Sequence, residues 1–244
     1  MNSMNTNTTI DFNYVDVKQS AETFKIILVG EAGVGKSSIL NQYMSDTFSN
    51  TIQATIWGSF MTKVLQLPSY EGSSIPSVIK LQIWDTAGNE KFRSLSKMFY
   101  KDSDCVILCY DSTSRESFKR LSYWLSQVED VLDLSQIHLV IWSWKIDIDY
   151  PEVTNKMVEK FIKEYDPQIK LYFYETSSKL NKGIDPMFNQ ICKNLIKMKQ
   201  PKRTDSISLS RKSHGSKATS SLVRNQSAWW RRLFGFWRCR QDEN

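Results

Sequence analysis

The segment from Gly30 to Ser37 constrains this chain more than any other, because it reads Gly-Glu-Ala-Gly-Val-Gly-Lys-Ser and fits the pattern G-x-x-x-x-G-K-S/T. The apolar run 24–29 before it predicts a buried strand, and residues 38–43 after it predict a helix. Glycines in such a turn let backbone N–H groups point inward at the positive end of the helix, which makes an anion site. The segment therefore predicts a phosphate-binding loop; the alternative is a glycine-rich turn that arose by chance.

Residues of this loop have separate predicted roles. Lys36 would reach the terminal phosphates of a nucleoside triphosphate, and the Ser37 hydroxyl would take a coordination position of Mg²⁺. The remaining predicted nucleotide-binding positions of the loop are Gly33, Val34, Gly35 and Ser38. The motif by itself identifies neither the base nor the use of the nucleotide.

Charge is unevenly distributed along the chain, whose net charge is +6. Residues 201–244 hold ten Lys or Arg against three acidic residues, which gives this part +7 and leaves residues 1–200 at −1. A nucleic-acid-binding domain more often carries its positive charge on the folded part. The distribution therefore argues against nucleic acid as a partner and favours a tail that meets an anionic surface.

Length and cysteine usage limit the possibilities further. At 244 residues and 41% hydrophobic, the chain can bury one good-sized core and has length left for tails. The four cysteines lack metal-ligand spacing and are predicted to be reduced, small core residues of a cytosolic chain: Cys105, Cys109, Cys192 and Cys239. The polar segment 1–19 does not have the pattern of a signal peptide, and no stretch approaches the roughly 18 apolar residues that would span a bilayer.

Beyond the phosphate loop, predicted strands and helices alternate. An antiparallel hairpin is expected from strands at 55–67 and 78–84, joined by a long turn at 68–77. Buried strands follow at 105–110, 138–144 and 169–174, and helices at 114–128, 152–165 and 184–198. This order predicts an α/β fold with a doubly wound, mostly parallel six-stranded sheet and helices on both faces, in which ligands bind beyond the carboxyl ends of the strands.

The chain is thereby divided into four predicted parts. These are a disordered extension at 1–22, one folded domain at 23–199, a disordered basic Ser-rich linker at 200–227 and an aromatic, basic amphipathic tail at 228–244.

The turn Asp85-Thr86-Ala87-Gly88 follows the strand that is expected to lie beside the phosphate-loop strand. It would place a carboxylate near the metal and a glycine N–H near a terminal phosphate. An ordinary Asp-x-x-Gly turn is the alternative.

Residues 80–88, 90–95 and 110–113 resemble the Rab branch of the Ras-like small GTPases, and the resemblance runs from about 24 to 199. It implies a P-loop small G domain that binds GTP or GDP with Mg²⁺ and acts as a monomeric switch in vesicle and membrane trafficking. It also implies effectors that bind through the switch regions, an exchange factor, a GTPase-activating protein and a position on the cytosolic face of an intracellular membrane.

The resemblance assigns further residues to the site. Thr55 would close on Mg²⁺ and the γ-phosphate, Tyr43 would lie against the guanine, and Phe48 would cover the phosphates. Ser177, Ser178 and Lys179 fall in a segment that is similar to the last base-binding loop of the family.

Departures from the family pattern bear on function. The predicted catalytic residues are Lys36, Gly88 and Asn89. Asn89 replaces the Gln that orients the attacking water in the family, and this replacement predicts slow hydrolysis. The guanine motif N-K-x-D begins here with Trp144, although Lys145 and Asp147 keep their places. We therefore expect weaker nucleotide binding with guanine still preferred, and Trp57 in place of a Gly predicts an unusual partner set.

The tail combines aromatic and basic residues in 228–239 without a prenylation box at its end. Wound as a helix, it would separate aromatic and arginine faces, as membrane-lying helices do; the alternatives are a partner-docking peptide or a tail that packs on its own domain. Two alternative functions also stay open: a non-cycling pseudo-GTPase that serves as an interaction scaffold, and, less favoured, an ATP-using P-loop kinase.

Overall fold

Six strands form a single sheet within the residues that the structure describes, which are 21–49, 55, 58–67, 77–88, 98–144 and 150–199 of this computed structural model. The strands are β1 (Glu22–Val29), β2 (Ser59–Leu67), β3 (Ser77–Asp85), β4 (Cys105–Asp111), β5 (His138–Trp144) and β6 (Leu171–Glu175). Their order across the sheet is β2-β3-β1-β4-β5-β6, with β2 antiparallel to β3 and the other neighbours parallel. The predicted mostly parallel sheet and its antiparallel hairpin are confirmed.

Helices cover both faces of this sheet. They are α1 (Lys36–Ser45), α2 (Arg115–Lys119), α3 (Leu121–Glu129), α4 (Asn155–Glu164) and α5 (Ile184–Lys199). Side chains of β1 alternate between two cores: Phe24, Ile26 and Leu28 pack with α1 and α5, whereas Ile27 and Val29 pack with α2, α3 and α4. The doubly wound arrangement is therefore confirmed, and β1 is buried on both faces, as its continuous apolar sequence predicts.

The predicted helix 114–128 is two helices in the structure. Ser114 caps the first, as predicted, because its side-chain oxygen accepts a hydrogen bond from the Ser117 N–H at 3.2 Å. Arg120 separates α2 from α3 while keeping right-handed helical backbone angles. The apolar spacing in the sequence continues across this junction, so it does not reveal the break.

Three other elements begin later than predicted. The strand expected from Thr55 begins at Ser59, the helix expected from Glu152 begins at Asn155, and the strand expected from Ile169 begins at Leu171. The second difference has a physical cause, since the Val153 N–H donates to the Ser112 carbonyl at 3.0 Å and so holds the chain outside the helix.

Cys105, Cys109 and Cys192 are buried free thiols, as predicted, and Cys239 lies outside the described residues. So do residues 68–76 of the predicted turn 68–77, whose last residue is the first of β3, residues 1–20 of the predicted extension, the linker and the tail. Among the helices in the described ranges, none is long and apolar enough to cross a membrane.

Candidate functional site

The carboxyl ends of the parallel strands meet at one edge of the sheet, and the predicted site residues follow them. Leu28 of β1 is in register with Asp85 of β3, and on the other side Val29 pairs with Leu108 of β4. The phosphate loop, the turn after β3 and the segment after β6 therefore share this edge, which is where ligands bind in such sheets.

The phosphate loop has the backbone geometry that its glycines allow. Gly35, directly before α1, has φ of +90°, and its carbonyl accepts the Ile39 N–H at 3.0 Å to open the helix. Gly88 lies so close to the loop that a Cβ there would stand 2.3 Å from the Ala32 nitrogen. A larger residue at either position would strain or displace the loop, so the glycine pattern serves a close approach of two backbone segments.

Lys36 is almost completely buried, with 5% of its surface exposed. Its Nζ donates to the Gly30 and Glu31 carbonyls, each at 2.8 Å, so the ammonium lies beneath the loop. Burial lowers the pKa of Lys36, and the nearby Asp85 and Glu31 carboxylates oppose that shift. A positive group is thus held where the motif predicts that phosphates bind.

The three predicted metal ligands lie together. The Ser37 hydroxyl donates to Asp85 Oδ2 at 2.5 Å and lies 2.8 Å from Thr55 Oγ1. Thr55 Oγ1 is itself 3.4 Å from Asp85 Oδ2. In the sequence, Thr55 lies 18 positions and Asp85 lies 48 positions after Ser37.

This donor set fits Mg²⁺. Asp85 is 2% exposed, and its Oδ1 atom has no hydrogen-bond partner among the described residues. Burial raises the pKa of Asp85, while the Ser37 hydrogen bond opposes that shift. One carboxylate and two hydroxyls are hard oxygen ligands of the kind that Mg²⁺ prefers, with waters and phosphate oxygens completing the shell. The described residues contain no cluster of three His, Cys, Asp or Glu side chains that could hold a metal without such help.

A contact that the sequence did not predict holds the phosphate loop from outside. Glu31 Oε1 accepts hydrogen bonds from Arg120 Nε at 3.0 Å and from Trp124 Nε1 at 2.9 Å. These partners lie 89 and 93 residues away from Glu31, at the start of α3 and within it. Glu31 occupies a variable position of the motif, so the pattern alone gives no signal for this contact.

The predicted base-binding loop after β6 is fixed by hydrogen bonds. The Thr176 N–H donates to the Ser143 carbonyl at 3.1 Å, and Ser177 forms an antiparallel bridge with Lys182. Ser177 and Ser178 are fully buried, whereas Lys179 is exposed. Their predicted contacts with guanine stay predictions.

Tyr43 does not lie where the resemblance assigned it. It is 5% exposed in the core between α1 and α5, where its ring stacks on Phe188 with 3.8 Å between centroids. Lys63 Nζ lies 3.7 Å from the ring centroid. This packing of Tyr43 onto α5 does not support the contact with guanine that the resemblance implies.

Phe48 is partly buried just beyond α1, and its predicted cover over the phosphates stays a prediction. Asn89, Lys145, Asp147 and Trp57 lie outside the described residues, as does the side chain of Trp144.

Comparison with known proteins agrees with this fold. The model of the Ras family matches residues 25–197. Ras-related protein Rab-18 of Lymnaea stagnalis is 36% identical over 193 residues, covering 79% of this chain and 90% of that relative. Rab7 of Drosophila melanogaster is 33% identical over 177 residues, which cover 71% of this chain and 81% of that relative. Rab-21 of Homo sapiens is 34% identical over 180 residues, which cover 74% of this chain and 75% of that relative.

The chain belongs to the Ras family. Within it, the similarity to Rab-18, Rab7 and Rab-21 identifies a divergent small GTPase of the Rab branch, the branch that works in membrane trafficking.

Proposed function

We propose that this chain is a guanine-nucleotide switch that hydrolyses GTP slowly and acts at an intracellular membrane. The contact among Ser37, Thr55 and Asp85 carries the proposal. It joins the phosphate loop, the predicted switch threonine and the end of β3 at one point, so a ligand bound there acts on three segments at once.

The roles of the chain's own groups follow from their positions. The loop N–H groups and Lys36 would bind the phosphates, and the Gly88 N–H, packed against the loop, would meet the terminal one. Ser37, Thr55 and Asp85 would hold Mg²⁺, which when bound neutralises charge on the phosphate oxygens. Loss of the terminal phosphate would therefore remove contacts of Thr55 and Gly88. This loss of contacts is the proposed basis of switching.

Asn89 would orient the attacking water. Its side chain is one methylene shorter than the Gln that the family usually has, so its amide falls short by about 1 Å. A misplacement of this size can cost roughly 10²-fold in rate, which supports a slow intrinsic step.

Guanine preference would rest on Asp147, because a carboxylate can accept hydrogen bonds from both the ring N–H and the exocyclic amine of guanine. The aliphatic stem of Lys145 would cover the base. Trp144 cannot supply the hydrogen bonds of an Asn, so we expect weaker binding than in relatives with N-K-x-D.

Effectors would bind beside the segments that respond to nucleotide. The rings of Phe60, Trp84 and Phe99 contact each other in a row, with centroid distances of 4.9 and 5.3 Å. Phe60 is 47% exposed, and Met98, next to Phe99, is 74% exposed. Along the chain, Phe60 follows Thr55 by five residues and Trp84 precedes Gly88 by four, so a partner that packs on the row would bind beside both. An exchange factor and a GTPase-activating protein would act on the same segments.

The tail from 228 to 240 would bind the membrane peripherally. Each arginine near an anionic leaflet contributes about 1 kcal/mol, and tryptophans favour the headgroup depth. Co-sedimentation with anionic liposomes tests this: binding should be lost when residues 228–240 are removed, and undiminished binding would refute the membrane role.

Asn89 and Trp144 also favour a second candidate, a scaffold that keeps the fold and no longer cycles. Single-turnover hydrolysis by the GTP-loaded protein separates the two candidates. Measurable cleavage that needs Mg²⁺ supports the switch, whereas nucleotide that stays intact over many hours supports the scaffold.

Identification of the nucleotide released by denaturing freshly purified protein tests the main proposal. We expect guanine nucleotide in the wild type and a drop of roughly 10²-fold in affinity for Lys36→Ala, because a buried charged partner is removed. Lys160→Ala is the matched control, since that side chain is 68% exposed on α4. No nucleotide in the wild type before or after loading, or unchanged content in Lys36→Ala, would overturn the proposal.

A further inference from the structure

Trp142 is a fully buried residue of β5, two positions before the strand ends. Its indole Nε1 donates a hydrogen bond to Thr176 Oγ1 at 2.6 Å, and Thr176 is also fully buried. The two residues are 34 positions apart. The bond therefore joins β5 to the start of the predicted base-binding loop in a place that excludes water.

The indole cannot easily change its position. Trp142 is in register with Cys109 of β4 on one side and Tyr174 of β6 on the other. It belongs to the same buried cluster as Val34 of the phosphate loop. Because close packing fixes the ring, the direction in which its N–H points is fixed as well.

Thr176 transmits this constraint to the loop. Its side chain accepts from Trp142, and its N–H donates to the Ser143 carbonyl at 3.1 Å, so one residue is tied to β5 at two points. The loop then closes through two hydrogen bonds between Ser177 and Lys182, of 3.0 and 2.9 Å. Ser178, the next residue of the loop, is fully buried and has little room to shift independently.

We propose that Trp142 is a positioning residue for base recognition: its indole N–H, through Thr176, holds the loop 176–179 in the geometry that reads guanine. The inference rests on the proposed function. Trp142 would not touch the nucleotide, and it acts through Thr176.

Removal of either end of the bond tests the proposal. Trp142→Phe keeps an aromatic ring without the N–H, and Thr176→Val keeps the volume without the hydroxyl. Because a buried polar group is left unpaired in each case, we expect release of a fluorescent GDP analogue to accelerate about tenfold. The ratio of GDP to ADP affinity, measured by competition on the full chain, should fall by about the same factor.

Two further variants exclude a general loss of packing. Thr176→Ser keeps the hydroxyl and should restore release and base preference to within about twofold of wild type. Val140→Ala removes two methyl groups from a fully buried residue on the same face of β5. It should lower the melting temperature and leave the GDP to ADP ratio unchanged.

The double variant Trp142→Phe with Thr176→Val should be no worse than the more severe single variant, because both remove one shared bond. If Trp142→Phe fails to fold, Thr176→Val decides the question, since it creates no cavity. A base preference that stays at the wild-type value in Thr176→Val, or that falls equally in Val140→Ala, would refute the positioning role. A wild-type protein that binds no guanine nucleotide would instead refute the proposed function, and this inference with it.

Discussion

The proposed site has a phosphate half, defined by the loop 30–37, and a base half, defined by the loop 176–179. A tryptophan N–H donates a hydrogen bond into each half, but the two contacts differ. In the phosphate half, Trp124 donates to Glu31, whose side chain is 31% exposed and also accepts from Arg120. Two donors share one accessible carboxylate. Solvent can replace part of that contact.

In the base half, Trp142 donates to Thr176, and both residues are fully buried. Water has no access to replace the bond, so its loss leaves two polar groups unpaired. The phosphate half has many supports, including the Lys36 contacts with two carbonyls and the Ser37–Asp85 bond. We infer that the accessible contact at Glu31 can be lost with little effect on phosphate binding, whereas base preference depends on the single buried bond between Trp142 and Thr176.

The largest effect is expected from a substitution in the phosphate half that raises the rate of GTP cleavage without changing nucleotide affinity. Asn89→Gln should raise the single-turnover rate of GTP cleavage by roughly 10²-fold, because the longer side chain reaches the attacking water. Nucleotide affinity should stay the same within about twofold, since Asn89 is not expected to support the bound state. Equal cleavage rates in the variant and the wild type would remove Asn89 as the cause of slow hydrolysis.

The phosphate half was largely predictable because its residues form sequence motifs that indicate phosphate and metal binding. Lys36 and Ser37 come from one motif, and Asp85 ends a strand that its alternating sequence predicts and that is expected to lie beside β1. The observed register of β1 with β3 brings that carboxylate to Ser37. Local pattern and sheet topology are sufficient here.

The sequence failed where the direction of a side chain decides the outcome. The resemblance implies a contact of Tyr43 with guanine, whereas the rotation of α1 directs its ring to Phe188. Trp142 and Thr176 belong to no predicted motif as a pair, and their bond spans 34 residues. Such contacts depend on packing across the sheet, for which a linear pattern carries no signal.

Acid should weaken the fold without distinguishing the two halves, because the responsible group lies at the opposite edge of the sheet. Burial lowers the pKa of His138, the first residue of β5, from 6.5 to about 4, and the charge of Lys170 adds to the shift. The unfolded chain therefore binds the proton first, and stability is lost as pH falls from 6.5 towards 4.

At pH 5 this residue should account for a loss of roughly 2 kcal/mol in the free energy of unfolding. Denaturant titrations at pH 7 and pH 5 measure it, with His138→Phe as the comparison because carboxylates titrate in both proteins. The variant should lose less stability over this interval. An equal loss in both would show that His138 is not the responsible group.

A smaller effect is expected for Asp85→Asn, which keeps the shape of the side chain and removes the charge from the metal-binding set. Its rate of GDP release should be about tenfold faster than wild type in Mg²⁺, because a charged ligand is lost. Chelation of Mg²⁺ with EDTA should accelerate release from the wild type and have little further effect on the variant. A variant that still responds fully to EDTA would place the metal elsewhere.

The smallest effect tests the comparison itself. Trp124→Phe removes the indole donor to Glu31, but Arg120 and water still reach the carboxylate, so GDP release should change by only about threefold. The GDP to ADP ratio should stay at its wild-type value, because the contact supports the loop that binds phosphates. Trp142→Phe should do the reverse and change the ratio most. If both variants change the GDP to ADP ratio equally, base preference does not depend on the bond between Trp142 and Thr176. The distinction between the accessible contact at Glu31 and the buried contact at Thr176 would then not hold.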